Sequence, residues 1–451
     1  MSHTRVQRPL FTWPTAVFAL ILLAGAAAIV YRMAFGLGAS TNLSNTWPWG
    51  LWKGFNVLVL IAWAAGGFAS AAIIYIFGGE RYHGMARAGV LWAILGYGFA
   101  GASLAVDIGI PWRIINPIYM WPKESLLFEV AWCVMLYLTV LALELAPAVF
   151  ERFGWTFLHK LWEKLVPAYA VAALTFFTYI MSHSAVWAAA ALVFFATLAV
   201  FLPRVGKRPS TPLLLIMFGV ILSSLHQSTL GSLFLLIPNK LSHFWWSELL
   251  PFNYIVSAVA IGLSVLTIER TLAPRIFGHK VDGEMLNGLS KIVLVVLWIY
   301  VLLRGADVGR LILAANASGE FTRLFGGTKH IALFAVEFGL CFLVPAVLML
   351  VPKIRTNPNA RMALAFLIAA GGMLNRLSAT FLGLLLPGEY VPSLIEIVIS
   401  LATFVAIIFL YTLGVKYLPI YPTPHGEDHG EGEAKKEAEA PPAPAEAKAE
   451  A

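Results

Sequence analysis

The sequence predicts an all-α protein, a polytopic transmembrane helical bundle of about ten to twelve spans. Three observations predict it. The 451 residues are 59% hydrophobic and only 12% charged, whereas about 25% of an ordinary soluble domain is charged. Apolar runs of about 20 residues, the length a helix needs to cross a bilayer, recur from end to end. Lys and Arg collect in every second connection between those runs, the asymmetry that orients membrane proteins.

In chain order the apolar runs cover 13–33, 54–78, 88–110, 126–150, 164–182, 185–202, 211–236, 248–270, 288–308, 328–351, 361–383 and 393–417. Arg5 and Arg8 precede the first run, and no clean small-residue cleavage site follows it, so it reads as a membrane helix and not a cleaved leader. Runs five and six are joined only by "SHSA", which predicts a tight helical hairpin. After Tyr421 the chain turns to Ala, Glu, Pro and Lys without aromatics, a composition that cannot bury enough apolar surface to fold. The expected organisation is an N-terminal helix and loop (1–44), a bundle (45–421) with an extra hairpin near 161–202, and a disordered acidic tail (422–451).

The tail distorts the net charge of +7: residues 423–451 hold eight acids and three bases, and the remainder holds 28 bases and 16 acids. The N-terminus and every second loop carry seventeen basic residues against nine in the other loops. Both termini are therefore expected in the cytoplasm, and the excess charge needs no nucleic acid to explain it. Cys133 and Cys341 cannot supply the four thiolates of an iron–sulfur cluster. Of ten histidines only His226 lies well inside a span, so no histidine pair for a membrane haem is expected. Nucleotide fingerprints are absent as well.

Ionisable residues inside a membrane are costly and mark function or pairing. With the orientation above, Asp107, Glu129, His226, Gln227, Arg304, Asp307, Asn375, Arg376 and Glu396 all fall in the outer half of their spans, with Arg113 just beyond in "DIGIPWR". The acids and bases in this set can pair across helices, as buried charges must. The structural alternative is that they are inter-helix struts. Glu129, Cys133, Tyr137, Val140 and Glu144 step by four, four, three and four, so they share one helix face. A line Glu129–Tyr137–Glu144 can relay protons, and Glu396 is a further relay candidate; equally, Glu144 can be an ion-pair partner at the inner surface. "AWAAGGFASAA" and "GYGFAGAS" repeat small residues at four-residue spacing, which predicts close helix approach.

The stretch Trp47 to Gly78, with "RYHGMARAG", "DIGIPWR", "LLFEVAWCVMLYLTVLALELAPAVFERFGW", "LHQSTLGSLFLL", "WWSELLPF" and "NRLSATF…EYVPSLIEI", resembles the NrfD/polysulfide reductase family of integral membrane subunits, and within it the HybB-type subunit of nickel–iron hydrogenases. The likeness covers most of residues 45–420. It implies a multi-pass anchor in the bacterial inner membrane, with no haem or iron–sulfur cluster of its own. It also implies a ferredoxin-like iron–sulfur subunit on the periplasmic face, catalytic subunits such as a nickel–iron hydrogenase, and exchange of electrons with menaquinone or ubiquinone in the outer part of the bundle. About 40 residues, Leu161 to Phe201, depart from the HybB pattern as an inserted hairpin, which leaves the hydrogenase partner open.

A quinone site needs hydrogen-bond partners for both carbonyl oxygens, proton carriers nearby and apolar walls. His226 and either Gln227 or Asn375 suit the oxygens, and Asp107 with Glu129 suits proton delivery. Arg113 and Arg376 suit a negatively charged reduced ring, and Trp112 and Trp47 suit the walls. Two rival readings stand beside this one. Twelve spans with both ends inside is a common layout of secondary transporters, although their polar groups gather at the midplane. A purely structural anchor is the other.

Overall fold

The computed structural model describes residues 13–122, 124–205, 210–278 and 281–421. The acidic tail with His425 and His429, and the loop bases Arg5, Arg8, Lys123, Lys207, Arg208 and Lys280, lie outside the described residues.

Among the described residues eleven helices are long and apolar enough to cross a membrane, as the composition predicts. With one shorter apolar helix they are α1 (Trp13–Phe35), α2 (Trp52–Ile76), α3 (Arg81–Asp107), α4 (Leu126–Phe153), α5 (Thr156–Ser182), α6 (Ala185–Val205), α7 (Leu213–Leu236), α8 (Leu250–Phe277), α9 (Gly283–Ser318), α10 (Thr328–Leu348), α11 (Pro358–Leu382) and α12 (Leu394–Tyr417). The apolar part of α6, Ala185–Phe201, is the shorter helix. The "SHSA" connection is a tight turn in which His183 adopts a left-handed conformation, φ 49°. The ninth apolar run ends close to Arg304 and Asp307, and the helix α9 continues past them to Ser318. Both residues sit mid-helix, where i,i+3 pairing lets the helix run on.

α2 is the centre of the bundle: 83% of its apolar window is buried, against 6% for α1. It touches α3, α7, α8, α11 and α12. α3, α4 and α7 form one side, α8 to α11 the other, and α1 lies along α12. The α5–α6 hairpin lies against α4 and α7. The small residues of α2 and α3 are where backbones meet. A Cβ on Gly66 would come 2.5 Å from the Gly262 carbonyl oxygen of α8, and one on Gly96 would come 2.6 Å from Ala64. Such contacts need residues without side chains, since helices in lipid associate by close packing. Indoles then tie helices together: Trp63 donates to Ala369 O, Trp92 to Trp63 O and Trp298 to Ala346 O, each at 3.1 Å.

At one end of the bundle three connecting loops bond to each other. Ser242 N donates to Gly383 O at 3.0 Å, Leu385 N to Lys240 O at 2.7 Å and His243 N to Leu324 O at 2.9 Å. Trp47 Nε1 reaches Pro387 O at 3.2 Å. These loops form a lid, and the polar residues of the candidate site lie beneath this lid end. Burial pushes the His243 imidazole below its usual range.

Candidate functional site

Three clusters of polar side chains bear on the candidate site. The first lies under the lid between α1, α2, α3 and α12. Lys53 Nζ is 2.6 Å from Asp107 Oδ2; the Asp107 side chain is buried and that of Lys53 is 27% exposed. Asp107 ends α3, where carbonyls lack partners within the helix. Arg32 of α1 supplies them, donating from Nε to Val106 O at 2.8 Å and from Nη2 to Ile108 O at 2.7 Å. A cation at this helix terminus is also favoured by the helix dipole. Lys53 stands in a π-helical stretch, Trp52–Val59, a geometry that recurs at functional sites. The Glu396 carboxylate accepts from Tyr390 Oη, from Asn42 N at 3.1 Å and from Ser393 N at 2.9 Å. It completes a capping box with Ser393 at the start of α12. Burial and this carboxylate push the Tyr390 hydroxyl well above its usual range.

The second cluster lies between α3, α4 and α7. Tyr97 Oη and Ser223 Oγ are 2.8 Å apart. The Tyr97 ring stands edge-on to Tyr137 (centroids 4.7 Å) and to His226 (5.7 Å). Gln227 Nε2 donates to Ile61 O at 3.4 Å. Both His226 ring nitrogens, Gln227 Oε1, Tyr137 Oη and Asn56 Oδ1 are buried without a protein hydrogen bond of ordinary geometry. Buried polar groups are normally paired, so these atoms mark capacity for water or a ligand. Toward the lid, Thr229 Oγ1 donates to Glu129 Oε1 at 2.9 Å. Toward the other end, a Cβ on Gly219 would meet Val140 at 3.0 Å, Tyr137 at 3.4 Å and the Glu144 carboxylate at 3.8 Å. That glycine lets α7 lie over the Tyr137–Glu144 face of α4. Among the described residues, Glu144 has no ion pair.

The third cluster joins α8, α9, α10 and α11. Glu337, fully buried, accepts from Trp245 Nε1 at 2.6 Å and from Asn375 Nδ2 at 2.9 Å. Arg376 donates to Asn375 Oδ1 at 2.6 Å and to Ser257 Oγ at 3.0 Å. Its guanidinium lies 3.7 Å above the Tyr254 ring. Arg304 donates to Phe244 O and lies 3.7 Å from Asp307, which Arg310 also approaches at 3.5 Å. Trp245, Asn253, Tyr254, Arg304, Asn375 and Arg376 line a cavity of about 10 Å³. That is room for about one water and not for a quinone ring. Here too π-helical stretches adjoin the site, Ala335–Leu343 around Glu337 and Ser378–Leu382 after Arg376.

The residues named from sequence therefore divide. His226 and Gln227 meet Tyr97 and Tyr137. Asn375 and Arg376 belong to the Glu337 cluster. Asp107 pairs with Lys53, a residue outside the set named from sequence. Trp112 is 73% exposed and Arg113 is exposed as well, so neither lines a buried pocket with His226. Trp47 is buried in the lid, near-parallel to Tyr390. Glu129 and Glu396 contact hydroxyls and backbone amides, not the expected arginines. Sequence reasoning passed over Glu337 altogether. A lone carboxylate inside "IALFAVEFGLCFLV" was the available signal. It also assigned Lys53 and Arg32 to loops, where each in fact compensates the end of α3.

No family model matches the chain. Curated proteins resemble it, three of them as follows. A protein of Nitratidesulfovibrio vulgaris (strain Hildenborough), named only "Protein", is 35% identical over 294 residues, 65% of this chain and 64% of that one. The "Probable Ni/Fe-hydrogenase 2 b-type cytochrome subunit" of Escherichia coli (strain K12) is 30% identical over 426 residues, 92% of this chain and 94% of that one. The "Menaquinone reductase, integral membrane subunit" of Nitratidesulfovibrio vulgaris is 27% identical over 410 residues, 87% and 88% of the two chains. With the all-helical bundle, the near full-length match to the Escherichia coli subunit shows that this chain belongs to the NrfD/polysulfide reductase-like family of integral membrane subunits.

Proposed function

We propose that this chain is the quinone-reactive membrane subunit of a respiratory oxidoreductase. In this reading it sits in the bacterial inner membrane with both termini in the cytoplasm. A ferredoxin-like iron–sulfur subunit docks over the lid, on the periplasmic side, and electrons pass between it and menaquinone or ubiquinone. A nickel–iron hydrogenase is one candidate for the catalytic subunits. The names of the relatives support the reading, since one is a subunit of a menaquinone reductase and one of a hydrogenase.

The observation that carries it is a set of buried polar atoms without a hydrogen bond of ordinary geometry: both His226 ring nitrogens, Gln227 Oε1 and Asn56 Oδ1. The imidazole can donate to a quinone carbonyl, and the two amide oxygens can accept from the hydroxyls of the quinol. His226 and Gln227 are 1% and 0% exposed, so a headgroup reaches them only if neighbouring helices part. Proton traffic is assigned to the polar file that begins beside them. His226, Tyr97, Ser223, Tyr137 and Glu144 run from α7 through α3 to α4, and Glu129 with Thr229 opens the file toward the lid. The Lys53–Asp107 pair fixes charge at the lid end of α2 and α3.

The test is His226→Ala and Gln227→Leu in the purified complex, with turnover measured against a quinone analogue and against an artificial acceptor that bypasses quinone. A loss of tenfold or more with quinone, at unchanged bypass activity and subunit stoichiometry, is expected. Equal activity with both acceptors would reduce the chain to an anchor. Substrate uptake by the chain alone in liposomes would favour the transporter reading.

A further inference from the structure

The connection between α3 and α4 carries apolar side chains that nothing among the described residues covers. Trp112 is 73% exposed, Ile115 53%, Ile118 53%, Tyr119 61% and Met120 54%. In water such a run would be a large unprotected apolar patch.

Its placement answers what covers it. Trp132 Nε1 of α4 donates to Pro117 O at 2.9 Å. The Trp121 ring stands edge-on to Phe176 (5.8 Å) and Tyr179 (6.3 Å) of α5. The segment is thus folded down along the flank of α4 and α5 and does not rise above them. The depth follows from helix length. α4 and α5 have 28 and 27 residues, about 40 Å at about 1.5 Å per residue, against a hydrocarbon core of about 30 Å. Each end then overhangs the core by roughly 5 Å. Trp132 and Phe176 each lie six residues from a helix end, about 9 Å inward. The groups that hold Pro117 and Trp121 therefore stand about 4 Å inside the acyl chains, next to their boundary with the headgroups.

We infer that residues 108–121 form an interfacial wedge, whose exposed Trp112, Ile115, Ile118, Tyr119 and Met120 insert into the lipid bilayer at that boundary. The composition suits the position. Trp and Tyr concentrate at membrane interfaces, and exposed Arg113 can extend its guanidinium to the headgroups. The lipid-facing flank is continuous with it, because Leu127 at the start of α4 is 63% exposed. The wedge directly follows Asp107, so it fixes the bilayer-side border of the Lys53–Asp107 pair. The inference needs only that α4 and α5 cross the membrane, and it stands whether or not quinone binds.

Spin labelling tests it. Cys133 and Cys341 are buried, so an introduced cysteine takes the label. Ile115→Cys and Ile118→Cys are placed in the full chain, in vesicles of phosphatidylethanolamine and phosphatidylglycerol and again in the intact complex. Collisions with oxygen, which partitions into lipid, are compared with those of a water-soluble nickel chelate. Glu389→Cys, in the exposed part of the lid, is the aqueous reference, read in the chain without its partner subunits. A several-fold excess of oxygen over nickel collisions at both wedge positions, with the reverse at 389, is expected. Nickel accessibility equal to that at 389 would make the segment a solvated loop. Protection from both reagents in the intact complex would make it a protein-docking surface. Either result overturns the inference.

Discussion

Lys53 and Asp107 meet at 2.6 Å, joining the first turn of α2 to the last residue of α3. The acid is buried and the amine is partly open to the surface, so the pair holds its charges where two helices emerge under the lid. Removing one partner of a buried pair leaves the other charge uncompensated. Asp107→Asn is expected to cost about 2–3 kcal/mol, less than the 3–5 of a fully enclosed pair because Lys53 can turn to solvent. Lys53→Met should cost as much or more, since the deeper charge is then stranded. The double variant should lose less than the two singles together. Thermal unfolding of the purified chain measures all three. Simple additivity would show that the contact carries no coupling.

Much of this architecture is legible in the sequence. Apolar runs of spanning length give the helices. The small residues of "AWAAGG" mark where α2 meets α8, and the stepping of Glu129, Cys133, Tyr137, Val140 and Glu144 marks the face that α7 covers. What stays hidden is which charges meet. Asp107 has Arg113 six residues away in sequence, but the chain turns after Ile108 and carries Arg113 out to the surface. The true partner, Lys53, comes from another helix, and only three-dimensional packing brings it there. The apolar run of α9 stops close to Arg304 and Asp307, which gives no sign that the helix itself runs on. Asp307 has Arg304 at 3.7 Å and Arg310 at 3.5 Å along the same helix, which continues to Ser318. The π-helical stretches leave no mark in the spacing of apolar residues.

The Glu337 carboxylate is bonded to both Trp245 and Asn375, and Arg376 reaches it through Asn375. Glu337→Ala removes an acceptor from two buried donors and leaves the arginines of that cluster with less compensation. A loss of about 3–5 kcal/mol is expected, in the range for a broken buried ion network. Glu337→Gln keeps the shape but presents an amide to a donor, so an intermediate loss is expected. Denaturation of the purified variants ranks them. If the glutamine variant matched the parent in stability, the negative charge would be irrelevant to holding the cluster together.

Glu396 separates two roles that the sequence leaves open. A proton relay needs a carboxyl free to gain and lose a proton. This one accepts from Tyr390 Oη and from the backbone N–H groups of Asn42 and Ser393, and it closes a capping box at α12. Glu396→Gln turns one acceptor into a donor facing donors, and a loss of about 1–2 kcal/mol is expected from the cap and the lid. Ser393→Ala removes the reciprocal half of the box while leaving the carboxyl in place. It should cost a similar amount, about 1 kcal/mol. If Glu396 is structural, both variants lower the unfolding temperature and turnover follows the fraction of folded protein. If it relays protons, Glu396→Gln stops quinone-linked turnover at a temperature where both variants are folded, and Ser393→Ala does not. Measuring turnover well below the unfolding temperature of each variant distinguishes the two, and the engaged carboxylate leads us to expect the first.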